Sequence, residues 1–369
     1  MAAGFAQWGN DLHTGRTSYN IVGRRRTWFA IAITAVLASL LLLSVKGLNP
    51  GIEFRGGSQF TVSGASTTAQ QPAIDAVKAV APAEEPRVSS IGSAAVRVQT
   101  SSLTNLEVES VREGLATAYG VPVADVASSF VGPSWGADVS SKAITGLVVF
   151  LILVSVVMTI YFRAWRMAAA ALIALGNDLI LTVGVYALVG WEVTPATAIG
   201  FLTILGYSIY DTVVVFDKVR ENTAGVLDQS RSTYAEMANL AVNQTLVRSI
   251  NTSVVALLPV SAILFVGTFI LGAGTLRDIS LALFVGMLVG TFSSIFLATP
   301  LEVTLREREP AMRAHDKRVR ELRVAAAAGG TETEAAALAG VAAYGAHLLP
   351  GQHLGTGAQP KRRKTTGRK

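Results

Sequence analysis

Residues 143–190 read AITGLVVFLILVSVVMTIYFRAWRMAAAALIALGNDLILTVGVYALVG. Two apolar runs, at about 143–162 and 168–189, are separated mainly by the charged tetrapeptide at 163–166. Each run is long enough to cross a hydrocarbon layer of about 30 Å as an α-helix rising about 1.5 Å per residue. Because the connection is so short, this stretch predicts an antiparallel pair of membrane-spanning helices.

Four further apolar runs flank this pair, at about 28–45, 196–216, 250–272 and 279–303. Hydrophobic residues make up 51% of the 369 residues and charged residues only 15%, a balance typical of membrane proteins. The first run lacks the short apolar core and cleavage site of a secretory signal, which favours an uncleaved helix over a cleaved signal. The sequence therefore predicts a polytopic α-helical membrane protein with six transmembrane helices.

The segment between the first two runs, residues 47–141, is polar and mixed in charge. It contains strand-like stretches and helix-like stretches in alternation. The strand-like stretches are 59–63, 87–100 and 126–131, and the helix-like stretches are 70–81 and 103–119. This alternation predicts a small extracytoplasmic α+β domain, which we expect to be ferredoxin-like.

Lysine and arginine residues indicate the orientation. Four precede the first run, two lie in the 163–166 turn, four lie in 217–248 and thirteen follow residue 303, whereas the short turns on the other side hold only Arg277. Positive residues concentrate on the cytoplasmic side, so both termini are expected there. The sequence predicts five parts: a cytoplasmic segment (1–27), the first transmembrane helix (28–46), the α+β domain (47–141), a bundle of the second to sixth helices (142–304) and a cytoplasmic basic tail, largely disordered (305–369).

Three ionisable residues fall within the predicted membrane helices: Asp178, Asp211 and Arg248. Such groups cost several kcal/mol in hydrocarbon unless they are paired, neutral or hydrated, so each is a candidate functional residue. Asp211 and Arg248 lie at similar depths and are predicted to pair. A carboxyl beside a fixed guanidinium can take up or release a proton after a small rearrangement. The alternatives are a static ion pair and an Arg248 that reaches the membrane surface.

Asp178 lies deeper, about ten residues into the third helix. It is interpreted either as a second proton-relay carboxyl or as a carboxyl hydrogen-bonded to Asn177 or Thr182. In the sixth helix, small residues recur every four positions and predict a packing face, either internal or for a partner. These are Ala282, Gly286, Gly290, Ser294 and Ala298.

Several chemistries have no support in the sequence. There is no cysteine, no phosphate-binding loop for ATP and no metal-binding HExxH spacing, and the four histidines (His13, His315, His347 and His353) all lie in the polar ends. We therefore expect no enzyme activity and no cofactor, with protons as the coupling ion. The tail PKRRKTTGRK is interpreted as a topology signal, with binding of anionic lipid or ribosomal RNA as alternatives.

Five segments together resemble the SecF family, the smaller half of the SecD–SecF export motors of the resistance-nodulation-division superfamily. They are GIEFRGG (51–57), FVGPSWGADV (130–139), GYSIYDTVVVFDKVREN (206–222), NQTLVRSINTS (243–253) and GTFSSIFLATPL (290–301). The order of the segments makes the resemblance specific. It runs from the first helix to about residue 310.

The resemblance implies a subunit of the bacterial plasma membrane that uses the proton-motive force to promote protein translocation. The implied partners are SecD, the SecY-E-G channel, the SecA ATPase, the exported polypeptide and membrane lipid, with YajC as a further candidate and no specific nucleic acid. Proton transport falls on Asp211 and Arg248, and a second aspartate of the pathway belongs to SecD. The family motif residues are Gly51, Glu53, Gly56, Gly57, Asp217 and Arg220.

Two positions depart from the family pattern. Glu53 replaces the usual aspartate and keeps its charge, whereas Tyr210 replaces the usual asparagine and leaves the hydrogen-bond environment of Asp211 open. Three other functions compete with this interpretation. They are an intramembrane aspartyl protease using Asp178 and Asp211, a small-molecule permease of the same superfamily that needs a second half, and a purely structural subunit.

Overall fold

A computed structural model describes residues 2–91, 94–269 and 274–329 of the chain. Its helices, in chain order, are α1 (Ala2–His13), α2 (Arg25–Lys46), α3 (Ile52–Arg55), α4 (Gln71–Val80), α5 (Asn105–Tyr119), α6 (Pro133–Phe162), α7 (Trp165–Val189), α8 (Pro195–Asn222), α9 (Tyr234–Phe269), α10 (Gly274–Ser293), α11 (Thr299–Arg306) and α12 (Pro310–Gly329). A π-helical turn, Ser294–Ala298, joins α10 to α11. The chain divides into two compact units, one of residues 21–217 and 248–306, the other of 1–20, 218–247 and 307 onward.

Six helical segments within the described residues are long and apolar enough to cross a membrane. They are α2, α6, α7, α8, α9 and the continuous α10–α11 segment. This confirms the predicted number of spans. The helices extend beyond the apolar runs because their polar ends continue the same backbone hydrogen bonding. The expected run 250–272 ends in residues 270–272, which lie outside the described part.

The turn between α6 and α7 reverses the chain as predicted. Arg163 ends α6 in the left-handed conformation, with φ of 50°, and is the only non-glycine residue of the described chain with a positive φ. At the far end of α7, Gly190 takes φ of 80° and allows a second tight reversal into α8. The helices α6 and α7 pack against each other.

Six strands are described: β1 (Asn49–Pro50), β2 (Gly57–Ser63), β3 (Arg87–Ile91), β4 (Ala95–Thr100), β5 (Val126–Val131) and β6 (Glu192–Val193). The order β3-β4-β2-β5 forms an antiparallel four-stranded sheet. The helices α4 and α5 pack against it, and Phe60, Val98 and Leu115 are fully buried between the layers. The expected strand 87–100 is instead two strands, β3 and β4.

The α+β domain between α2 and α6 ends earlier than the expected boundary at residue 141. Gly132 is extended, and Pro133 begins α6 directly after β5. Proline suits this first helical position because its fixed φ is already helical and the missing N–H has no partner there. The helix therefore includes nine residues, 133–141, that the composition had assigned to the domain.

The second unit contains α1, the start of α9 and α12. The His315 Nε2 atom lies 2.8 Å from the Gln229 carbonyl oxygen, and Arg323 Nη1 donates to Glu236 Oε1 over 2.7 Å. The polar stretch between the apolar runs 196–216 and 250–272 is largely helical, because α8 continues to Asn222 and α9 already begins at Tyr234. The tail beyond residue 329 lies outside the described part.

Candidate functional site

Asp211 lies on the buried side of α8 and is 4% exposed. Its Oδ1 accepts a hydrogen bond of 2.8 Å from the Ser249 hydroxyl of α9. Its Oδ2 accepts one of 2.5 Å from the Ser294 hydroxyl in the π-helical turn. A hydroxyl can donate to a carboxylate or accept from a carboxylic acid, so this setting can accommodate either protonation state.

Asp178 is completely buried on α7. Its Oδ2 accepts a hydrogen bond of 2.6 Å from the Ser208 hydroxyl of α8, and its Oδ1 accepts a longer one of 3.4 Å from the Asn177 amide. Asn177 is therefore a partner of this carboxyl, as one of the two interpretations held. Thr182 instead donates to the Asp178 backbone carbonyl at 2.7 Å.

The two aspartates share one polar region of the bundle. Ser208 and Asp211 are three residues apart on α8 and so project from neighbouring positions of one helix face. Gly290 of α10 passes beside them: a Cβ at this glycine would lie 3.1 Å from Ser208 and 3.6 Å from Asp178 Oδ2. The hydroxyl oxygen of Ser294, one helical turn further, also lies 2.9 Å from the Gly290 carbonyl oxygen. One side of α10 thus runs along both carboxyl sites.

The small-residue stripe of the sixth span packs inside the bundle, against α8. Ala282 and Ser294 are fully buried, and a Cβ at Gly286 would overlap the Ile204 side chain. A Cβ at Gly200 of α8 would likewise lie only 2.7 Å from the Cβ of Ala282. The absence of side-chain atoms lets α8 and α10 approach closely enough for Ser294 to reach Asp211.

The predicted ion pair between Asp211 and Arg248 is not formed in the described part of the chain. Arg248 is exposed, and its neighbour Ser249 faces Asp211 instead. The reason is helical phase, because consecutive residues point about 100° apart and Ser253, one turn on from Ser249, is also buried. Tyr210 is 54% exposed on α8 and does not belong to the hydrogen-bond environment of Asp211.

The GIEFRGG segment makes the connection from β1 to β2. A Cβ at Gly51 would lie 2.5 Å from Glu53 Oε2, and Gly56 and Gly57 take φ of 79° and 136°. At Gly57 a Cβ would also overlap the Thr100 carbonyl oxygen. Glycine is therefore required by backbone conformation at Gly56 and Gly57, and by space at Gly57 as well, whereas at Gly51 a Cβ would only displace the flexible ends of glutamate side chains.

Comparison with known proteins gives the family. The family described as "Protein export membrane protein SecD/SecF, C-terminal" matches residues 112–308, and the "SecD/SecF GG Motif" family matches residues 41–66. The protein translocase subunit SecF of Streptomyces coelicolor is 46% identical over 329 residues, which cover 89% of this chain and 88% of that protein. The chain belongs to the SecF family.

Two further SecF-family relatives support the assignment. The SecF subunit of Mycobacterium tuberculosis is 42% identical over 87% of this chain and 74% of that protein. The crystal structure of SecDF, a translocon-associated membrane protein from Thermus thermophilus, superposes with a TM-score of 0.67 at 29% identity over 79% of this chain. The chain spans 39% of the length of that structure.

The remaining SecF motif residues do not join the buried carboxyl region. Asp217 and Arg220 are both exposed towards the end of α8. Within the residues for which coordinates are described, no cluster of His, Cys, Asp and Glu could hold a metal ion. The site is thus an arrangement of carboxyls and hydroxyls within a helical bundle.

Sequence reasoning missed the serines that hold the carboxyls. Ser208 and Ser249 were not singled out, and Ser294 was treated only as a packing residue. A signal was present, since serines lie three residues before Asp211 and one residue after Arg248 in otherwise apolar helices. Their roles depend on how the helices rotate against each other, which only long-range packing determines.

Proposed function

We propose that this SecF-family chain works with a SecD-like subunit and uses the proton-motive force to promote protein export. The observation that carries the proposal is the burial of Asp211 within a membrane-spanning helix, held by hydroxyls from two other helices. Hydroxyl partners can hold either the ionised or the protonated carboxyl, so the group suits reversible proton binding. Asp178 would serve as a second proton-binding position on the same route.

The position of Arg248 supports a partner for this chain. A guanidinium exposed on a membrane-spanning helix is costly unless a counter-charge or water reaches it. The exposed positions of α8 include Thr203 and Tyr210 at helical spacing, and Arg248 is exposed on α9. We infer that a SecD-like subunit covers these faces and supplies the acidic partner of Arg248. The Thermus SecDF structure, in which this chain matches only part, fits such a division.

The same proposal includes a location and an orientation. Lysine and arginine are concentrated before the first span and after the last, which supports cytoplasmic termini in the bacterial plasma membrane. The α+β domain would then be extracytoplasmic and would engage the emerging polypeptide. Its strand and helix order, β2-α4-β3-β4-α5-β5, together with the sheet order β3-β4-β2-β5, supports a ferredoxin-like fold.

The proposal also names the wider machinery. The SecY-E-G channel and the SecA ATPase would be the translocation partners, with YajC as a further candidate. The chain itself would act without a cofactor and without catalysing a covalent reaction, with protons as the coupling ion. Membrane lipid would surround α6, most of whose span is exposed.

The test replaces Asp211 with Asn and Arg248 with Met, separately, in the complex with the SecD-like subunit. Export of a precursor into inverted membrane vesicles is measured with and without a proton gradient. Both variants are expected to lose most of the gradient-dependent increment while keeping gradient-independent export. Asp228→Asn, which changes an exposed aspartate, is the matched control. Normal gradient-dependent export in Asp211→Asn would refute the proposal.

A further inference from the structure

One face of the four-stranded sheet is polar yet buried. Along β4, Val96 and Val98 point into the core beneath the helices, so Arg97 and Gln99 lie on the opposite face. Both residues are nonetheless only 8% exposed. A buried arginine needs an acidic partner, because a desolvated guanidinium without one is strongly unfavourable.

That partner is Glu192, in the turn between α7 and α8. Arg97 Nη1 lies 2.7 Å from Glu192 Oε2, and the two side chains are 9% and 8% exposed. Gln99 donates a second hydrogen bond to Glu192 Oε1 and also reaches Gln59 Oε1 at 2.9 Å. The α+β domain therefore contacts the membrane bundle through a shielded ion pair of residues 95 positions apart in sequence.

The backbone fastens the same turn to the start of the domain. The strands β1 and β6 pair in parallel, with Asn49 opposite Glu192 and Pro50 opposite Val193. The Gly51 N–H then donates to the Val193 carbonyl at 2.9 Å. The turn is thus held both by the segment leaving α2 and by the central strand β4.

From this turn, contacts continue into the helices of the carboxyl site. Thr194 Oγ1 donates to Asp278 Oδ2 of α10 at 3.4 Å, and the Tyr186 hydroxyl of α7 donates to the Asp278 carbonyl at 3.3 Å. The helix α8 begins at Pro195 and carries Asp211 about 24 Å further along, at about 1.5 Å per residue. Glu192 thus lies directly before the helix that holds the buried carboxyl.

We propose that the Arg97–Glu192 ion pair is the point through which movement of the α+β domain and movement of α8 are coupled. This inference rests on the proposed proton-driven function and names two positioning residues for it. Without the ion pair, the turn would be held to the domain mainly by β1, where the chain enters the domain, and the sheet could move independently of it. With the ion pair in place, a displacement of β4 must displace Glu192, and with it the start of α8.

A buried ion pair suits this role because its partners are costly to separate and because it fixes their relative orientation. Separating the partners leaves uncompensated buried charges, so moving β4 away from the turn that carries Glu192 costs free energy. The pair also fixes a geometry, since the guanidinium plane and the carboxylate must align. Asp278 and its neighbour Arg277, 3.5 Å away, form a second ion pair at the start of α10.

The test is a charge exchange in the full chain with its SecD-like subunit. The variants are Arg97→Glu, Glu192→Arg and the double exchange. Glu113→Arg, at an exposed position of α5, is the matched control for introducing charge into the same domain. Spin labels on Leu106→Cys and Leu188→Cys, which are 83% and 50% exposed, report the distance between domain and bundle, since the chain has no native cysteine.

Each single exchange is expected to broaden the distance distribution and to lower gradient-dependent export about tenfold, and the double exchange to restore both readouts to within about twofold. Gradient-independent export should not change. Wild-type export and distances in well-expressed single variants would overturn the proposal. So would a double exchange that stays as defective as the single variants. Failure of the proton-driven function itself would appear separately, as normal export in Asp211→Asn.

Discussion

Ser294 donates its hydroxyl to Asp211 Oδ2 over 2.5 Å, from the only π-helical turn in the described chain. The same hydroxyl approaches the Gly290 carbonyl at 2.9 Å, so it is held between the helix backbone and the carboxyl. Turns of this kind occur often at functional sites. The relationship connects the sixth span directly to the proposed proton-binding group.

Replacing Ser294 with Ala should impair export driven by the proton gradient. The change removes one of two hydroxyl donors to Asp211, and an unmet hydrogen bond to a buried charged group is worth about 1–3 kcal/mol. We expect gradient-dependent export to fall about tenfold, measured in inverted vesicles. Thr159→Ala, which removes an exposed hydroxyl from α6, is the control. Equal export by the two variants would contradict the assignment.

Enlarging Gly286 should destabilise the bundle. A Cβ there overlaps Ile204, so Gly286→Val must push α10 away from α8 at a cost of about 1–3 kcal/mol. Gly146→Val on α6 is matched in kind, because a Cβ at Gly146 meets nothing within 4 Å. Thermal unfolding of the detergent-solubilised chain should show a lower midpoint for the first variant alone. Unchanged midpoints in both would mean that the stripe tolerates a wider separation.

The exposed faces of α8 and α9 should contact the SecD-like subunit. Tyr210→Cys, at a position 54% exposed, is expected to form a crosslink to that subunit with a short bifunctional thiol reagent, after a cysteine scan of the partner. Val148→Cys on α6, 49% exposed, should stay uncrosslinked in the same membranes. A crosslink is detected as an increase in the apparent mass of this chain by the mass of the SecD-like subunit. The reverse pattern would place the subunit against α6.

The start of α5 should weaken when its cap is removed. Thr104 accepts a hydrogen bond from the Glu107 N–H at 3.4 Å, and Glu107 Oε2 accepts one from the Thr104 N–H at 2.8 Å. Thr104→Ala should cost about 1 kcal/mol, seen as faster amide exchange in the first turn of α5. Thr117→Ala, whose hydroxyl bonds within the same helix, should leave those amides unchanged. Faster exchange in both variants would show that the effect is not specific to the cap.

The same cap predicts a pH dependence. The Thr104 backbone N–H, and then its hydroxyl, lower the pKa of Glu107 below its ordinary value. The ionised form therefore stabilises the folded cap above the unfolded-state pKa of about 4.3, and this contribution is lost as pH falls through the lowered pKa. Exchange in wild type and Glu107→Gln should differ at neutral pH and converge in acid. A difference that persists at low pH would exclude the carboxylate as its source.

Much of the fold follows from local sequence. Apolar length predicts the spans, and the alternation in residues 47–141 predicts the main strands and helices. The carboxyl end of α8 and the amino end of α9 were not predicted, since polar residues there continue the helices without any apolar signal. The start of α6 escaped because Pro133 lies in a polar stretch that composition alone assigns to the domain.

The candidate site was predictable only in part. Charge in an apolar helix identifies Asp178 and Asp211, because burial of a carboxyl is unusual wherever it occurs. The partner of Asp211 depends instead on how α9 is rotated about its axis. A rotation by one residue decides whether Arg248 or Ser249 faces the carboxyl. The Arg97–Glu192 pair left no local pattern at all, because a buried contact between a strand and a distant turn is created only when both elements are in place.

The π-helical turn at Ser294–Ala298 interrupts the regular hydrogen bonding of the sixth span. Such a turn holds one residue more than an α-turn, and this surplus can be relocated along the helix without breaking the chain. If the extra residue moved past Ser294, that part of the helix would rotate by about 100°, which would carry the Ser294 hydroxyl away from Asp211. The span would then have two arrangements that differ by one residue in register. In one the Asp211 carboxyl accepts hydrogen bonds from two hydroxyls, and in the other the hydrogen bond from Ser294 is lost.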